Sequence, residues 1–353
     1  MSFVARPRLR GLVTLAAMAA ALAAVSPAAA GSAAPRTWYV APSGTGGGSC
    51  ATPDHHVIQD AVDASTQGDT IVVCPGVYEG NVNISTHAHD GLTLRASTPL
   101  GATIATGIGS GGYGALVTVT AVNDVTIKDL RLLASTGAGC RFTARHVTID
   151  LGALRASIIG NRMSTEGDVT LQGPCTVGQG ILVNGGSSAT IRDNVIRDWV
   201  SDAIAVGHDS NVTIARNKLQ FLHAGWTHGS QPSAATGIIV QGATVRISGN
   251  TISGRKGAGL ASDAAPILDD AILITNAAQR ATVKGNVVTR NVRGIEIAGG
   301  TGFLIKGNDA RGNLRRDCLD HTTGTGTKGT ANTWIANLGR PGASRPKGIC
   351  LLP

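Results

Sequence analysis

Aromatic side chains are scarce. Phe, Trp and Tyr together make up 3% of 353 residues, so any core must be filled by aliphatic and small side chains. Charge is sparse as well, at 15% against 42% hydrophobic residues, a balance that excludes a disordered chain. No apolar run reaches the roughly 20 residues that span a bilayer. There is no C-x-x-C pair, no glycine-rich loop ending in Lys-Ser or Lys-Thr, and no basic run interleaved with aromatics. Zinc ribbons, phosphate loops and nucleic-acid surfaces are thereby set aside. What is plentiful is glycine, with 48 residues, roughly twice the usual share, which argues against a helical bundle. The length exceeds what one compact core serves, so either two domains or one elongated repeat is expected.

Arg6, Arg8 and Arg10 precede an apolar run over residues 11–25, and Ala28, Ala29 and Ala30 stand before Gly31. This is the pattern of a secretory signal over residues 1–30. Its removal takes three Arg and no acid, leaving 27 basic against 22 acidic groups, a net charge of +5. All six cysteines lie beyond it, an even number suited to an oxidising, extracellular compartment. Fifteen pairings are open to six cysteines. Proximity along the chain favours Cys50 with Cys74, Cys140 with Cys175 and Cys318 with Cys350.

One short pattern recurs six times: an aliphatic residue, two spacers, Asn, a spacer, and a mostly apolar residue. The copies centre on Asn161, Asn194, Asn217, Asn250, Asn286 and Asn308. Five are accompanied by a second alternating pair: Ile181/Val183, Ile204/Val206, Ile238/Val240, Ile272/Ile274 and Ile295/Ile297. Period-two alternation over so short a run means strand. The Asn-to-Asn spacings of 33, 23, 33, 36 and 22 residues differ because extra length falls at one point of the coil, between the Asn strand and the second strand. A basic coil of 22 to 23 residues therefore repeats, and coils of short strands stacked in this way form a parallel β-helix. Asn at the turn is expected to tolerate a left-handed backbone and to hydrogen-bond its stacked neighbour.

Alternation at Val117/Val119, Val125/Ile127 and Val147/Ile149 carries the solenoid upstream of the clear copies, with the register between Cys140 and Ile158 left open. Val57, Ile58, Ala61 and Val62 have helical spacing and predict an amphipathic helix capping the first coil. After Asn308 the pattern fades into Gly- and Thr-rich sequence, read as a C-terminal cap closed by Cys318 and Cys350. The expected organisation is a signal peptide over 1–30, a linker over 31–54, the cap helix and first coils over 55–115, the repeats over 116–315 and the C-terminal cap over 316–353.

The run Ile58-Gln59-Asp60-Ala61-Val62-Asp63-Ala64, then Gly68-Asp69-Thr70-Ile71-Val72-Val73-Cys74-Pro75-Gly76-Val77-Tyr78-Glu79, resembles the opening segment of the pectin lyase-like superfamily. The tail from Asp317 to Cys350 is similar to that of secreted actinobacterial β-helix proteins. The resemblance implies an all-β, single-stranded, right-handed parallel β-helix. It implies no single chemistry, because the superfamily includes lyases, polygalacturonases, pectin esterases and proteins with no known activity. Ser201-Asp202 keeps one Asp where polygalacturonase-like enzymes have two, and Gly207-His208-Asp209 departs from their Gly-His-Gly. The Asp-Phe-Ile-Phe-Gly element of pectin esterases is absent, and Arg340-Pro341-Gly342-Ala343-Ser344-Arg345 only echoes the Arg-x-Pro-x-x-Arg of pectate lyase-like enzymes.

Insertions near residues 164–178, 220–235 and 253–269 leave one edge of the solenoid and are expected to wall a groove over the short Asn194 coil. Its floor would be Arg197, Asp198, Trp199, Val200, Ser201 and Asp202. Asp202, His223 and His228 are the candidate acids and bases. Trp199, Trp226, Asp198, Glu166 and Asp168 are the candidate substrate contacts. Trp199 has an equal alternative role, covering the outward residues Leu182, Ala205, Ile239 and Leu273. His223 and His228 have the alternative of solvated loop residues. No cofactor is expected, calcium being the open alternative. The expected partner of this monomer is a polysaccharide or cell-wall glycan, with no nucleic acid and no membrane span. Two readings stand: a secreted lyase or hydrolase working in the groove, and a non-catalytic carbohydrate-binding or structural solenoid.

Overall fold

A computed structural model describes residues 34–105, 114–135, 145–166, 179–199, 201–221, 227–228, 231–232, 235–254 and 268–351. The leader-like residues 1–30 lie outside these, as do Cys140 and Cys175. Three parallel sheets run the length of the described chain, with eleven, eight and ten strands. Each coil contributes one strand to each sheet in turn. Residues Ser188–Arg192, Val195–Arg197 and Asp202–Gly207 make such a coil. Every strand then pairs in register with its counterpart one coil away, as Ile191 does with Ile214 and Ile204 with Ile238.

Stacking follows from the alternation. Ile71, Leu94, Ile127, Ile158, Ile191, Ile214, Ile247, Val283 and Ile305 pair successively along the first sheet, and all are fully buried. Tyr78, Ile104, Leu132, Met163, Ile196, Leu219, Ile252 and Val288 form the matching row of the second sheet. The third sheet turns inward the pairs read from the sequence. Each aliphatic side chain buried this way is worth roughly 1.5–3 kcal/mol, so the stacks supply most of the cohesion that an aromatic-poor chain needs.

The asparagine ladder closes the turn between the first two sheets. Asn194 Nδ2–H donates to Asn217 Oδ1 (3.0 Å), Asn217 to Asn250 (3.0 Å), Asn250 to Asn286 (2.9 Å) and Asn286 to Asn308 (2.9 Å). Each Oδ1 also accepts the backbone N–H of the preceding Asn. The left-handed residue is not the Asn, as expected, but the one before it: Gly160, Asp193, Arg216, Gly249, Gly285 and Gly307 all have φ between 53° and 67°. The Asn satisfies the turn and its neighbour reverses the chain.

At the start, the helix Ile58–Ala64 buries Ile58, Ala61 and Val62, while Val57 stands outside it and is 52% exposed. The segment read as a linker contributes a strand, Thr37–Val40, to the end of the first sheet, and the Cys50–Cys74 disulfide ties it to the first coil. Between Cys140 and Ile158 the strand Arg145–Asp150 turns Val147 and Ile149 inward. At the other end the coils continue through Arg316–Asp320, Thr333–Ile335 and Ser344–Arg345, with Cys318 joined to Cys350. The repeat fades there only in sequence. Trp334 takes an aliphatic position, Asn337 extends the ladder from Asn308 (2.8 Å), and Asp320 sits where other coils have Ile. Asp320 is tolerated inside because Trp334 Nε1–H (2.7 Å), Asn332 Nδ2–H (3.2 Å) and Thr322 Oγ1–H (2.6 Å) donate to it.

Candidate functional site

The outer face of the third sheet carries the site. Residues between the inward pairs must point outward, and register aligns Thr148, Leu182, Ala205, Ile239 and Leu273 into one outer row, followed by Glu296 and Leu319. Two residues before each inward pair lies a second, polar row. It holds Arg145, Gln179, Asp202, Thr236, Asp270 and Arg293.

A cavity of about 180 Å³ opens on this face. Its floor is Leu182, Ala205 and Ile239; Arg145, Gln179 and Asp202 stand on one side, and Asn184, His208 and Gln241 on the other. A directed chain fixes the first side. Arg145 Nε–H donates to Gln179 Oε1 (2.9 Å), and Gln179 Nε2–H donates to Asp202 Oδ2 (3.1 Å), which also accepts from Ser201 Oγ–H (2.8 Å). Both donors converge on Oδ2, leaving Oδ1 without a protein hydrogen bond among the described residues. Burial pushes the Asp202 carboxyl above the usual carboxylate range, against those two hydrogen bonds. Burial also lowers the Arg145 pKa. Asp150 attracts the Arg145 guanidinium against that desolvation, and among the described residues no carboxylate lies within ion-pair distance of it. His146 is fully buried, its Nε2–H donates to the Ser164 carbonyl (2.8 Å), and desolvation lowers its pKa.

Further along the same face lies a second polar cluster. Arg293 bridges Asp270 (2.7 Å) and Glu296 (2.5 Å), and His321 Nε2 meets Glu296 Oε1 at 3.0 Å. Asp270 and Glu296 are buried, while the His321 side chain is 49% exposed. Burial and the neighbouring Glu296 push the Asp270 carboxyl up, with Arg293 acting against them. Among the described residues no three His, Cys, Asp or Glu side chains converge as metal ligands, and no helix is long and apolar enough to cross a membrane.

Of the residues singled out from the sequence, the structure places Asp202 in the cavity. Trp199 is corrected. It is fully buried in the core, its ring 5.5 Å from that of Phe221, because the turn of only four residues before Asp202–Gly207 folds the indole inward. It offers no face to a sugar and does not cover the outer row, which instead floors the cavity. Asp198 is buried in the same turn with φ of 53° and does not line the cavity. The described lining of the cavity is thus the sheet face, with Asp202 its one member from the described residues of 197–202. Glu166 ends the strand Arg162–Glu166, and His228 belongs to a two-residue strand paired with Gln231–Pro232. Asp168, Val200, His223 and Trp226 lie outside the described residues. The insertions do enter at one edge, between the second and third sheets, and the stretches 106–114 and 136–144 enter there too. Arg145, Gln179, Arg293, Glu296 and His321 were missed. Arg145, Gln179 and Arg293 share the offset of Asp202 from the inward pair, a signal present in the repeat.

Residues 177–335 match the family model described as right handed beta helix region. Among solved structures, an alginate lyase from Paenibacillus sp. str. FPU-7 aligns with 88% of this chain and 99% of its own, at 20% identity and a TM-score of 0.56. A rhamnogalacturonan lyase aligns with 80% of this chain and 75% of its own, at 12% identity and a TM-score of 0.52. No curated protein sequence matches the chain. In its stacked coils, asparagine ladder and three parallel sheets, the chain has the fold of a right-handed parallel β-helix, which the two lyase structures share.

Proposed function

We propose that this is a secreted protein that binds an acidic polysaccharide along the outer face of the third sheet and cleaves it there, with Asp202 as proton donor. The observation that carries this reading is that a desolvated Asp202 carboxyl and a partly desolvated Arg145 guanidinium line one cavity over an apolar floor. Buried titratable groups facing a cavity are costly unless used. A uronate carboxylate suits Arg145, the apolar floor suits the C–H face of a sugar ring, and the Asp202 carboxyl can protonate a departing glycosidic oxygen. Proton donation serves elimination and hydrolysis alike, and lyases are among the proteins that share the fold.

The Glu296–His321 pair is three strand steps from Asp202, about 14 Å at the usual strand spacing. That is too far to act on the same bond, so its role in this reading is to hold sugar units further along the face. The non-catalytic alternative is favoured by one observation: among the described residues Asp202 is the only carboxylate lining the cavity, whereas hydrolysis ordinarily uses two. A panel of uronate-containing and neutral polysaccharides separates the readings, with unsaturated-product absorbance and reducing ends followed together. Cleavage of a uronate polymer that Asp202→Asn slows at least a hundredfold, with binding kept, supports the catalytic reading. Binding without any product supports the alternative.

A further inference from the structure

The far end of the solenoid has a charge pattern that the groove does not use. From His321 onward the sequence contains Lys328, Arg340, Arg345 and Lys347 and no Asp or Glu. Three of these cations line one cavity of about 500 Å³, together with Pro341, Ser344 and Leu351. Like charges do not gather around a concavity for stability, because mutual repulsion disfavours it.

The cavity is held open by its own chemistry. Arg340 is anchored from behind: the fully buried Asp317 carboxylate accepts its backbone N–H (2.6 Å) and its Nε–H (3.1 Å), and the Asn313 carbonyl accepts a further guanidinium N–H. Lys328 sits on a left-handed turn with φ of 56°. Its Cε lies 3.1 Å from where a Cβ on Gly348 would stand, a tight contact, and Gly348 itself has φ of 91°. Only glycine serves both needs at 348 without strain. Among the described residues neither Lys328 nor Lys347 has a carboxylate within ion-pair distance.

We propose that this cap cavity is a second, separate binding site for an anionic saccharide unit, carboxylate or phosphate. Lys328 and Lys347 would supply the charge, the anchored Arg340 would supply orientation, and Pro341 and Leu351 an apolar surface for the sugar ring. The site stands whether or not the groove is catalytic. Two sites on one rigid solenoid would hold a long polymer more tightly than either alone, through the raised effective concentration of the second contact.

Isothermal titration in low salt with a galacturonate trimer, glucose 6-phosphate and a maltotriose control tests this. The parent, Lys328→Met/Lys347→Met, Lys218→Met/Lys284→Met as a charge-matched control, and Arg145→Gln as the groove variant would be compared. At least one anionic probe should bind the parent and the maltotriose should not. The cap double variant should lose roughly tenfold or more in affinity for it, the control double variant should stay within about twofold, and Arg145→Gln should retain the cap component. The better-bound anion identifies the carboxylate or phosphate source. Equal losses in both double variants would reduce the effect to net charge and overturn the proposal, as would absence of anion binding by the parent. Loss in Arg145→Gln alone would assign the binding to the groove and overturn it as well.

Discussion

Replacing Asn250 by Ala strikes the ladder at its centre. Its Nδ2–H groups donate to the carbonyls of Ile214 (3.0 Å) and Ser248 (3.2 Å) and to Asn286 Oδ1 (2.9 Å), and its Oδ1 accepts from the Asn217 backbone N–H (2.9 Å) and Nδ2–H (3.0 Å). Two amide hydrogens serve three acceptors, so about four net bonds are lost, at about 1 kcal/mol each. The Asn217 N–H is left without its acceptor, and a buried orphan donor costs a further 1–3 kcal/mol or so. Asn250 is fully buried, so water cannot step in. Allowing for relaxation, the loss should be roughly 3–6 kcal/mol. The exposed Asn83→Ala is the control and should cost about 0.5 kcal/mol or less. Urea unfolding of the two variants and the parent measures the difference, with hydrogen exchange at the Asn217 and Asn286 amides locating it. If Asn250→Ala falls within about 1 kcal/mol of Asn83→Ala, the ladder does not stabilise the coils and the reasoning fails.

The buried indole gives a second prediction. Trp199 Nε1–H is buried without an acceptor, so Trp199→Phe removes an unsatisfied donor while keeping most of the packing, and should stay within about 1 kcal/mol of the parent; Trp199→Ala should cost about 3–5 kcal/mol. Retained glycan binding in Trp199→Phe is expected, and selective loss of binding with unchanged melting would return Trp199 to the site. A third prediction concerns pH. The Asp202 carboxyl is raised above its ordinary 3.8 in the folded chain, so the folded state holds the extra proton, and the stability this contributes is present at low pH and lost as pH rises through the raised value. Asp202→Asn should therefore gain in melting temperature relative to the parent as pH rises above the ordinary 3.8, and a gap that stays constant or shrinks would contradict the shift.

The solenoid was legible because its two devices repeat. Aliphatic residues at alternate positions and an Asn at a fixed offset can be read wherever the coil length is kept, and Ile191, Ile214 and Ile247 lie stacked where the pattern put them. It became illegible where the same geometry is met by other chemistry, as with Trp334 in an aliphatic slot and Asp320 turned inward. The groove was half legible. Insertion arithmetic put the extra length between the strands of the second and third sheets, as the strand order has it, but the floor was assigned to turn residues, because the outward side chains between inward pairs carry no pattern of their own beyond being apolar. Trp199 misled for a physical reason: an indole in a short turn can face either way, and only the packing of Phe221 decides it. The pairing of Cys50 with Cys74 and of Cys318 with Cys350 followed from proximity alone, while the expected Cys140–Cys175 pair lies outside the described residues.

The central claim, that a glycan lies along the outer face of the third sheet, is tested most directly by the crystal structure of Asp202→Asn soaked with the uronate oligosaccharide that the panel selects. Sugar rings should lie over Leu182, Ala205 and Ile239, with a carboxylate on the Arg145 guanidinium and a glycosidic oxygen beside residue 202. An empty face at saturating ligand, or sugar bound only elsewhere on the solenoid, would contradict the account.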